Sequence, residues 1–420
     1  MNHFEYVNGE LHCEGVALSR IAAEVGTPAY VYSQATLTRH FTVFDDALSD
    51  VPHLICYSVK ACSNIAVIKL LGSLGSGFDV VSGGEIHRLK AAGVDTRNVV
   101  FSGVGKTPEE MRIGIEANIH AFNVESEAEL RALSQVAVSM GRQAPVSVRV
   151  NPDVDPQTHP YIATGLKQSK FGIPWEEAVA TYALAASLPG INVVGLDCHI
   201  GSQLTTLDPF LEAVDRMLAL VVLLREKGHN ISSLDLGGGL GITYEDETPP
   251  HPRELARAVT ERTAGYGLTL LFEPGRVIVG NAGIFLSKVL YTKSNDSKHF
   301  IIVDGAMNDA IRPALYGAFH EIRPVSEASV NGARVVADVV GPICESGDFF
   351  AKDRELPPLS ADDLLVLMSA GGYGFSMSSN YNSRPRVPEI LVHGDTYSVI
   401  RRRERIEELT ALESIPDWLE

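Results

Sequence analysis

Lys60 closes the run LICYSVK at residues 54–60, a β-branched and aromatic stretch that reads as a buried strand. The small and polar residues ACSN that follow could start a helix. Burying an ammonium is costly unless it is paired or neutralised. Two readings stand side by side. Lys60 either snorkels from the strand end into solvent, or it is an amine kept partly desolvated, its pKa lowered so that it attacks an aldehyde.

Three further stretches bear on that choice. DLGGGLG, residues 235–241, runs a strand into a series of glycines whose backbone N–H groups could approach an anion. The bland alternative is a flexible turn, and neither a Walker motif nor a dinucleotide fingerprint is present. FEPGR, residues 272–276, sets Glu273 before a Pro-Gly turn and Arg276. A glutamate facing a heteroaromatic nitrogen would hold it protonated and make the ring an electron sink; a structural Glu–Arg pair is the alternative. CHIGS, residues 198–202, puts His199 beside small residues, either stacked on a flat ring or as a hydrogen-bonded core histidine. Cys198 lacks the second close pair of ligands that a zinc site needs, so no metal is expected.

These residues share a position in a pattern. From Leu54 to Arg276, apolar runs alternate with amphipathic stretches: LICYSVK, GFDVVS, NVVFSG, HAFNVES, PVSVRVN, VVGLDCHIGS, SLDLGGG and LLFEPGR. The alternation predicts right-handed parallel βα units. Eight of them match a (β/α)8 TIM-like barrel over residues 35–280, with a doubly wound open sheet as the structural alternative. The barrel is favoured because each run turns polar at its carboxyl end: Lys60, Asp79 and Ser82, Ser102, Asn123, Arg149 and Asn151, His199 and Ser202, Gly237 to Gly239, Glu273 and Arg276. In a barrel those ends converge on one face, and the loop after the seventh strand is a favoured phosphate site.

After Gly280 the texture becomes strand upon strand, and HGDT between two alternating runs marks a hairpin. Residues 281–420 therefore form a mainly antiparallel β domain, which the N-terminal segment 1–34, itself hairpin-like, is expected to join. The charged RRRERIEEL from Arg401 reads as the solvated face of a terminal helix.

Composition bounds the partners. The chain has 420 residues, 45% apolar and 21% charged, with a net charge of −17 that disfavours nucleic acid and anionic membrane as partners. Its five cysteines lack a CxxC pair and fit free thiols in a reducing compartment. The N-terminus shows no signal peptide, and MLALVVLL from Met217 is too short to span a bilayer. A cytoplasmic protein is expected.

Lysine, glycine-rich loop, ring-stacking histidine and glutamate together are what pyridoxal 5'-phosphate needs. Here the chain resembles the alanine racemase-like, fold type III pyridoxal-phosphate decarboxylases, and within them the diaminopimelate-decarboxylating branch. The matching motifs are YSVKACSN, GFDVVSGGE, VFSGVGK, SKFGI, CHIGSQ, DLGGGLG, EPGR, GPICESGD and SSNYNSRP. The resemblance implies that Lys60 binds the coenzyme aldehyde covalently, that Asp79 orients it, that His199 lies against the ring and that Glu273 pairs with the ring nitrogen. Phosphate contacts would come from Ser202, Gly238, Gly239, Gly275, Arg276 and Tyr373. Gly372 stands where the family usually has alanine.

Two constellations in the second domain bear on the substrate. DAIRPALYG sets Arg312 and Tyr316 four apart behind Pro313, a favourable first helical residue, as a clamp for a carboxylate or as a surface arginine and a packing tyrosine. GPICESGD places Cys344 next to Glu345. The resemblance implies that this loop enters the partner subunit's site in a homodimer, with Cys344 as the proton donor and Glu345 on the substrate's distal amine. Arg276, Arg312, Tyr316 and Tyr373 would complete the substrate contacts. The implied reaction is decarboxylation of meso-2,6-diaminopimelate to L-lysine, the last step of lysine biosynthesis. Competing readings are a decarboxylase of ornithine or arginine, a racemase, for which no second base can be assigned, and a non-catalytic coenzyme-binding relative.

Overall fold

Cys56, Val100, Ala121 and Leu271 lie far apart in the chain yet form one buried cluster, because the strands that carry them close into a cylinder. The computed structural model describes residues 2–155, 158, 159, 162, 164, 165, 169–331 and 333–419. It divides into two units, Thr38–Ile278 and Met1–Leu37 with Val279–Glu420.

The unit Thr38–Ile278 is a (β/α)8 barrel. Its strands are β1 (His53–Ser58), β2 (Gly77–Val80), β3 (Val99–Phe101), β4 (Ala121–Val124), β5 (Ala144–Asn151), β6 (Ile191–Asp197), β7 (Ser233–Asp235) and β8 (Thr269–Phe272). Neighbours pair in parallel, and β8 closes on β1 with Leu271 opposite Leu54. Helices α1 (Ile65–Ser73), α2 (Gly83–Ala92), α3 (Pro108–Glu116), α4 (Glu127–Ser139), α5 (Ala178–Ser187), α6 (Asp208–Glu226) and α7 (Pro252–Thr263) link them. Local chemistry fixes where several begin. Asn64, Ser82, Thr107 and Ser126 each accept a backbone N–H of the first turn, and Thr107 with Glu110 forms a capping box behind Pro108. Gly93 ends α2 at φ +63°, a left-handed conformation open to glycine at little cost.

Strand periodicity then orders the barrel interior. The buried cluster includes Cys56, Val100, Ala121 and Leu271, and the residue two further along each of these strands is Ser58, Ser102, Asn123 or Glu273. The same step leads from Gly77 to Asp79, from Ser147 to Arg149, from Gly195 to Asp197 and from Ser233 to Asp235. An apolar or small layer thus lies beneath a polar one. Small residues below are required: a Cβ on Gly195 would meet the Ser147 hydroxyl at 2.9 Å.

A buried ion pair braces the turns after β3 and β4. Lys106 Nζ donates to Glu129 at 2.8 Å and to the carbonyls of Gly103 and Asn123 at 2.8 and 2.7 Å, while Glu129 also accepts the Glu125 N–H.

In the other unit, nine strands form one sheet: Ala29–Ser33, Gly283–Ser294, His299–Val303, Ile322–Pro324, Val335–Val340, Phe349–Leu356, Leu364–Leu367, Glu389–His393 and Thr396–Arg401. Pairing is antiparallel except between His299–Val303 and Val335–Val340 and between Ala29–Ser33 and Glu389–His393. The expected hairpin at HGDT is present, and the N-terminal hairpin Phe4–Val7 with Glu10–Cys13 adds Leu11 and Cys13 to a core of Val31, Ile284, Leu286, Val366 and Ile390. The expected terminal helix is absent. The chain stays extended to Arg401 and then makes short 3₁₀ turns at Ile406–Leu409 and Asp417–Leu419, with Glu404 and Glu408 taken up by Arg386, Arg401, Arg402 and Arg405. No helix among the described residues is long and apolar enough to cross a membrane.

Removing one member of a buried pair leaves the other uncompensated. Lys106→Met should lower stability by about 3–5 kcal/mol, read as a fall in thermal midpoint, whereas a midpoint equal to the parent's would show that this brace holds nothing.

Candidate active site

The polar layer at the carboxyl ends of the barrel strands assembles most of the candidate residues. Lys60 sits in the 3₁₀ turn Val59–Ala61 directly after β1, and its ammonium forms an ion pair with Asp79 at the end of β2. Asp79 is fully buried, while the lysine side chain remains 37% exposed. Ser58 Oγ donates to Asp79 at 2.8 Å and lies 2.9 Å from the Glu273 carbonyl, tying β1, β2 and β8 together. Lys60 is therefore not a lysine simply snorkelling to water. It is partly exposed, and a buried carboxylate aims it.

Glu273 is buried, with its Oε1 accepting from Ser102 at 3.2 Å and from Asn123 at 3.3 Å. Burial first, then the negative neighbours Asp235 and Asp79, hold its carboxyl well above the usual range. Asp197 and Asp235 are pushed up likewise, burial leading. Carboxylate oxygens of Asp197, Asp235 and Glu273 lie within 4.8 Å of one another. Arg149, on β5, offsets this negative charge and is itself paired with Glu125 at 3.2 Å.

His199 follows β6. Its Nδ1 accepts the Gly238 N–H at 3.1 Å, so the neutral ring carries its proton on Nε2. Burial, Arg149 and Lys60 depress its pKa well below the ordinary histidine value, which keeps the imidazole neutral. The glycines of the 237–239 loop are needed for close approach. Gly237 has φ +65° and a Cβ there would stand 2.5 Å from His199 Nδ1; Gly239 has φ +120° and its Cβ would meet the Gly201 carbonyl at 2.5 Å. The loop expected to present bare N–H groups thus also seats the histidine. Arg276, buried after β8, donates to the Ser202 hydroxyl at 3.1 Å and the Tyr244 hydroxyl at 2.6 Å, and Gly275 O accepts the Ile278 N–H in the same turn.

This donor set fits pyridoxal phosphate. An amine, a buried carboxyl, a neutral imidazole, a hydroxyl, a guanidinium and side-chain-free backbone occur together. Among the described residues, Asp79 Oδ1, Asn123 Oδ1 and Asp197 Oδ1 are buried acceptors without a partner.

Five candidates belong to the other unit. Arg312 is buried at the start of the helix Arg312–Tyr316, with Pro313 in its first turn as expected. Its Nη1 donates to His320 Nε2 at 2.9 Å, and His320 Nδ1 donates to the Met368 carbonyl at 2.8 Å, which fixes the tautomer. Tyr316 is half-buried four residues on. Tyr373, half-buried, has a left-handed backbone at φ +56°. Cys344 and Glu345 are exposed on one loop, where the Cys344 N–H donates to Asn382 Oδ1 at 3.0 Å and Glu345 accepts from Tyr381 at 3.0 Å.

Sequence reasoning missed Asp197, Tyr244, His320 and Tyr381 as site residues. It quoted Asp235 only as the start of a glycine run. Asp197 and Asp235 carry a usable signal, since each ends an apolar strand in the manner of Asp79. The pairs Arg276–Tyr244 and Arg312–His320 carry none.

Comparison with known proteins places this geometry. A family described as pyridoxal-dependent decarboxylase, pyridoxal binding domain, matches residues 34–280. The diaminopimelate decarboxylase of Pseudomonas aeruginosa is 55% identical over 415 residues, covering 99% of each chain. The crystal structure of diaminopimelate decarboxylase from M. jannaschii in co-complex with L-lysine is similar with a TM-score of 0.95 at 38% identity, covering 100% of both chains. The Helicobacter pylori diaminopimelate decarboxylase complexed with L-lysine gives 0.91 at 40% identity, covering 94% of this chain and 99% of the other.

Glu85, in the first turn of α2, lies close enough to Lys60 and Asp79 to feel both charges. Burial first raises its pKa from 4.5 to about 7, against the Val81 N–H that it accepts at 2.7 Å. Folding therefore favours its protonated form. That stabilisation is complete below pH 4.5 and is lost as pH rises through 7. Glu85→Gln, which keeps the acceptor but cannot ionise, should gain thermal midpoint relative to the parent as pH rises across this window. Parallel midpoint curves for the two proteins would refute the assignment.

Proposed function

The chain belongs to the pyridoxal-dependent decarboxylases, and we propose that it decarboxylates meso-2,6-diaminopimelate at its D-centre, giving L-lysine and carbon dioxide, with pyridoxal 5'-phosphate as coenzyme. The observation that carries the reaction class is the Lys60–Asp79 pair beside the buried Glu273 carboxyl at one end of the barrel. The full-length likeness to diaminopimelate decarboxylases supports the substrate.

When bound, the coenzyme supplies an aldehyde that takes up an amine and a protonated ring that accepts the electron pair released as carbon dioxide leaves. The chain's residues do the rest. Lys60 provides the tethering amine, and Asp79 holds it oriented. Glu273 keeps a proton at the ring nitrogen; burial raises its proton affinity, and a facing cation would draw it to ionise. His199, neutral and fixed through Nδ1, offers an uncharged flat surface to the ring. Ser202, Gly239, Gly275, Arg276 and Tyr373 would hold the phosphate, while the Gly238 N–H, expected to join them, is given to His199 Nδ1.

Arg276, Arg312, Tyr316 and Tyr373 would hold the substrate carboxylate that is kept, and Glu345 the far amine. A guanidinium already oriented by a neutral histidine, as Arg312 is by His320, loses less freedom on binding a carboxylate. A substrate lacking the second carboxylate would forgo the charge-assisted bonds that these arginines offer it, a loss that selects against ornithine and arginine. At the α-carbon the bond to the departing carboxylate breaks, and the Cys344 thiol delivers the replacing proton. We assign the working form to a cytoplasmic homodimer in which Cys344 and Glu345 serve the partner's site.

The decisive measurement is carbon dioxide release by the pyridoxal-phosphate-loaded protein from meso-diaminopimelate, ornithine and arginine in parallel. Release from ornithine that matches or exceeds that from meso-diaminopimelate would defeat the substrate assignment. Cys344→Ala should lower kcat by about 10²-fold or more, the usual worth of a positioned general acid, with KM little changed. Full turnover by this variant would remove Cys344 from its role.

A further inference from the structure

The loop that carries Cys344 and Glu345 is exposed, yet the structure fastens it from two sides. Beneath it lies Asp348, buried to 4% exposure, with Oδ2 accepting the Ile343 N–H at 2.6 Å and Oδ1 the Met307 N–H at 2.7 Å. The loop closes on itself through Glu345 N–H to Ile343 O at 2.8 Å and Asp348 N–H to Glu345 O at 3.1 Å. A Cβ on Gly341 would stand 2.5 Å from Asp348 Oδ2, so the entry to the loop has no room for a side chain. Its backbone is therefore set before any substrate arrives.

The second fastening comes from the segment 379–383. Ser379 N–H donates to the Asn308 carbonyl at 2.8 Å, and Asn308 Nδ2 returns a bond to the Ser379 carbonyl at 3.1 Å, so this segment is anchored to the same stretch, 304–309, that holds Asp348. Asn382 has a left-handed backbone at φ +55°, and its Oδ1 takes the Cys344 N–H at 3.0 Å. Tyr381, one residue earlier, donates its hydroxyl to Glu345 Oε2 at 3.0 Å. An exposed glutamate on a free rotor samples many directions. This one has Oε2 engaged by a phenol on an anchored segment, while Oε1 lies beside Gly347, 3.3 Å from where a Cβ there would stand.

We propose that Tyr381 is a positioning residue that sets selectivity for substrates with a far-end ammonium, by holding Glu345 in one orientation so that its other oxygen meets that ammonium. The inference rests on the reading that Glu345 binds the far amine. Asp348 and Asn382 fix the loop's backbone; among the described residues, Tyr381 is the side chain that donates to the carboxylate. Removing its hydroxyl frees the Glu345 rotamer without touching the loop, so binding suffers and the reaction at the α-carbon does not. Tyr381 is 46% exposed, and Tyr381→Phe keeps its ring, so folding is expected to survive.

The test is a double-mutant cycle on pyridoxal-phosphate-loaded protein, with KM and kcat for meso-diaminopimelate measured on the parent, Tyr381→Phe, Glu345→Gln and the double variant. A hydrogen bond to a charged group predicts that Tyr381→Phe raises KM about 10-fold while kcat stays within about 2-fold. Glu345→Gln should raise KM at least as much, and adding Tyr381→Phe to it should change nothing further. A parent-like KM for Tyr381→Phe alongside a raised KM for Glu345→Gln overturns the role of Tyr381 while leaving the Glu345 reading intact. Equal losses that simply add mean that Tyr381 acts through general structure, and also overturn it. If Glu345→Gln itself behaves as the parent, the amine-binding reading fails and Tyr381 has nothing to position.

Discussion

The ion pair between Lys60 and Asp79 is the interaction around which the barrel's polar layer is arranged. It joins the turn after the first strand to the end of the second, and Ser58 extends it to the eighth. The seam at which the barrel closes, β8 against β1, is thus the place where the amine is aimed. Asp79 is fully buried and cannot be left without a cation at modest cost. The ammonium, in turn, is held partly exposed and facing the layer that carries Glu273. Closure of the fold and orientation of the amine are one event.

Around that pair the barrel sets a charge problem and divides it. Asp197, Asp235 and Glu273 crowd within 4.8 Å in a buried layer, and burial raises the proton affinity of each. Lys60 and Arg149 supply positive charge from opposite parts of the ring, and both press His199 toward its neutral form. Burial leads both shifts, raising the carboxyls and lowering the imidazole, while the two cations oppose the first and reinforce the second. In the proposed function a flat cationic ring would suit such a site, since its charge would draw the Glu273 carboxyl to ionise and the neutral histidine would add no repulsion.

Much of this was legible in the sequence because strand periodicity is strict. Apolar runs that turn polar at their ends marked Lys60, Asp79, His199 and Glu273, and the number of runs pointed to a closed barrel. Asp197 and Asp235 follow the same rule but were absorbed into VVGLD and SLD, where a single acid at the end of an apolar run looks like the start of a loop. Their significance arises from strand register, which sets strands six, seven and eight side by side with Asp197 opposite Asp235 and Glu273 close by. The Lys106–Glu129 brace and the Arg312–His320 contact were illegible for a different reason. Each depends on how a loop folds back over a neighbouring element, and no periodicity records that. The terminal arginine-rich stretch misled because alternating charge suits a helix face, yet its glutamates are claimed by arginines of the sheet and of the turn itself.

Two kinds of glycine separate in the same way. Gly237 and Gly239 lie in a run whose composition suggests an anion cradle, and the structure shows the stricter demand: left-handed backbone and contact distances that exclude any Cβ beside His199 and Gly201. Gly341 looks like an ordinary loop residue, yet a side chain there would strike the carboxylate that pins the Cys344 loop. In both places the glycine's role is to let a functional side chain's support come close. Asp348 shows why this matters for an exposed loop. Its carboxylate replaces, with two short bonds to backbone N–H groups, the ordering that a buried strand would receive from its neighbours. A loop held in that manner is braced through its backbone while the side chains of Cys344 and Glu345 stay exposed.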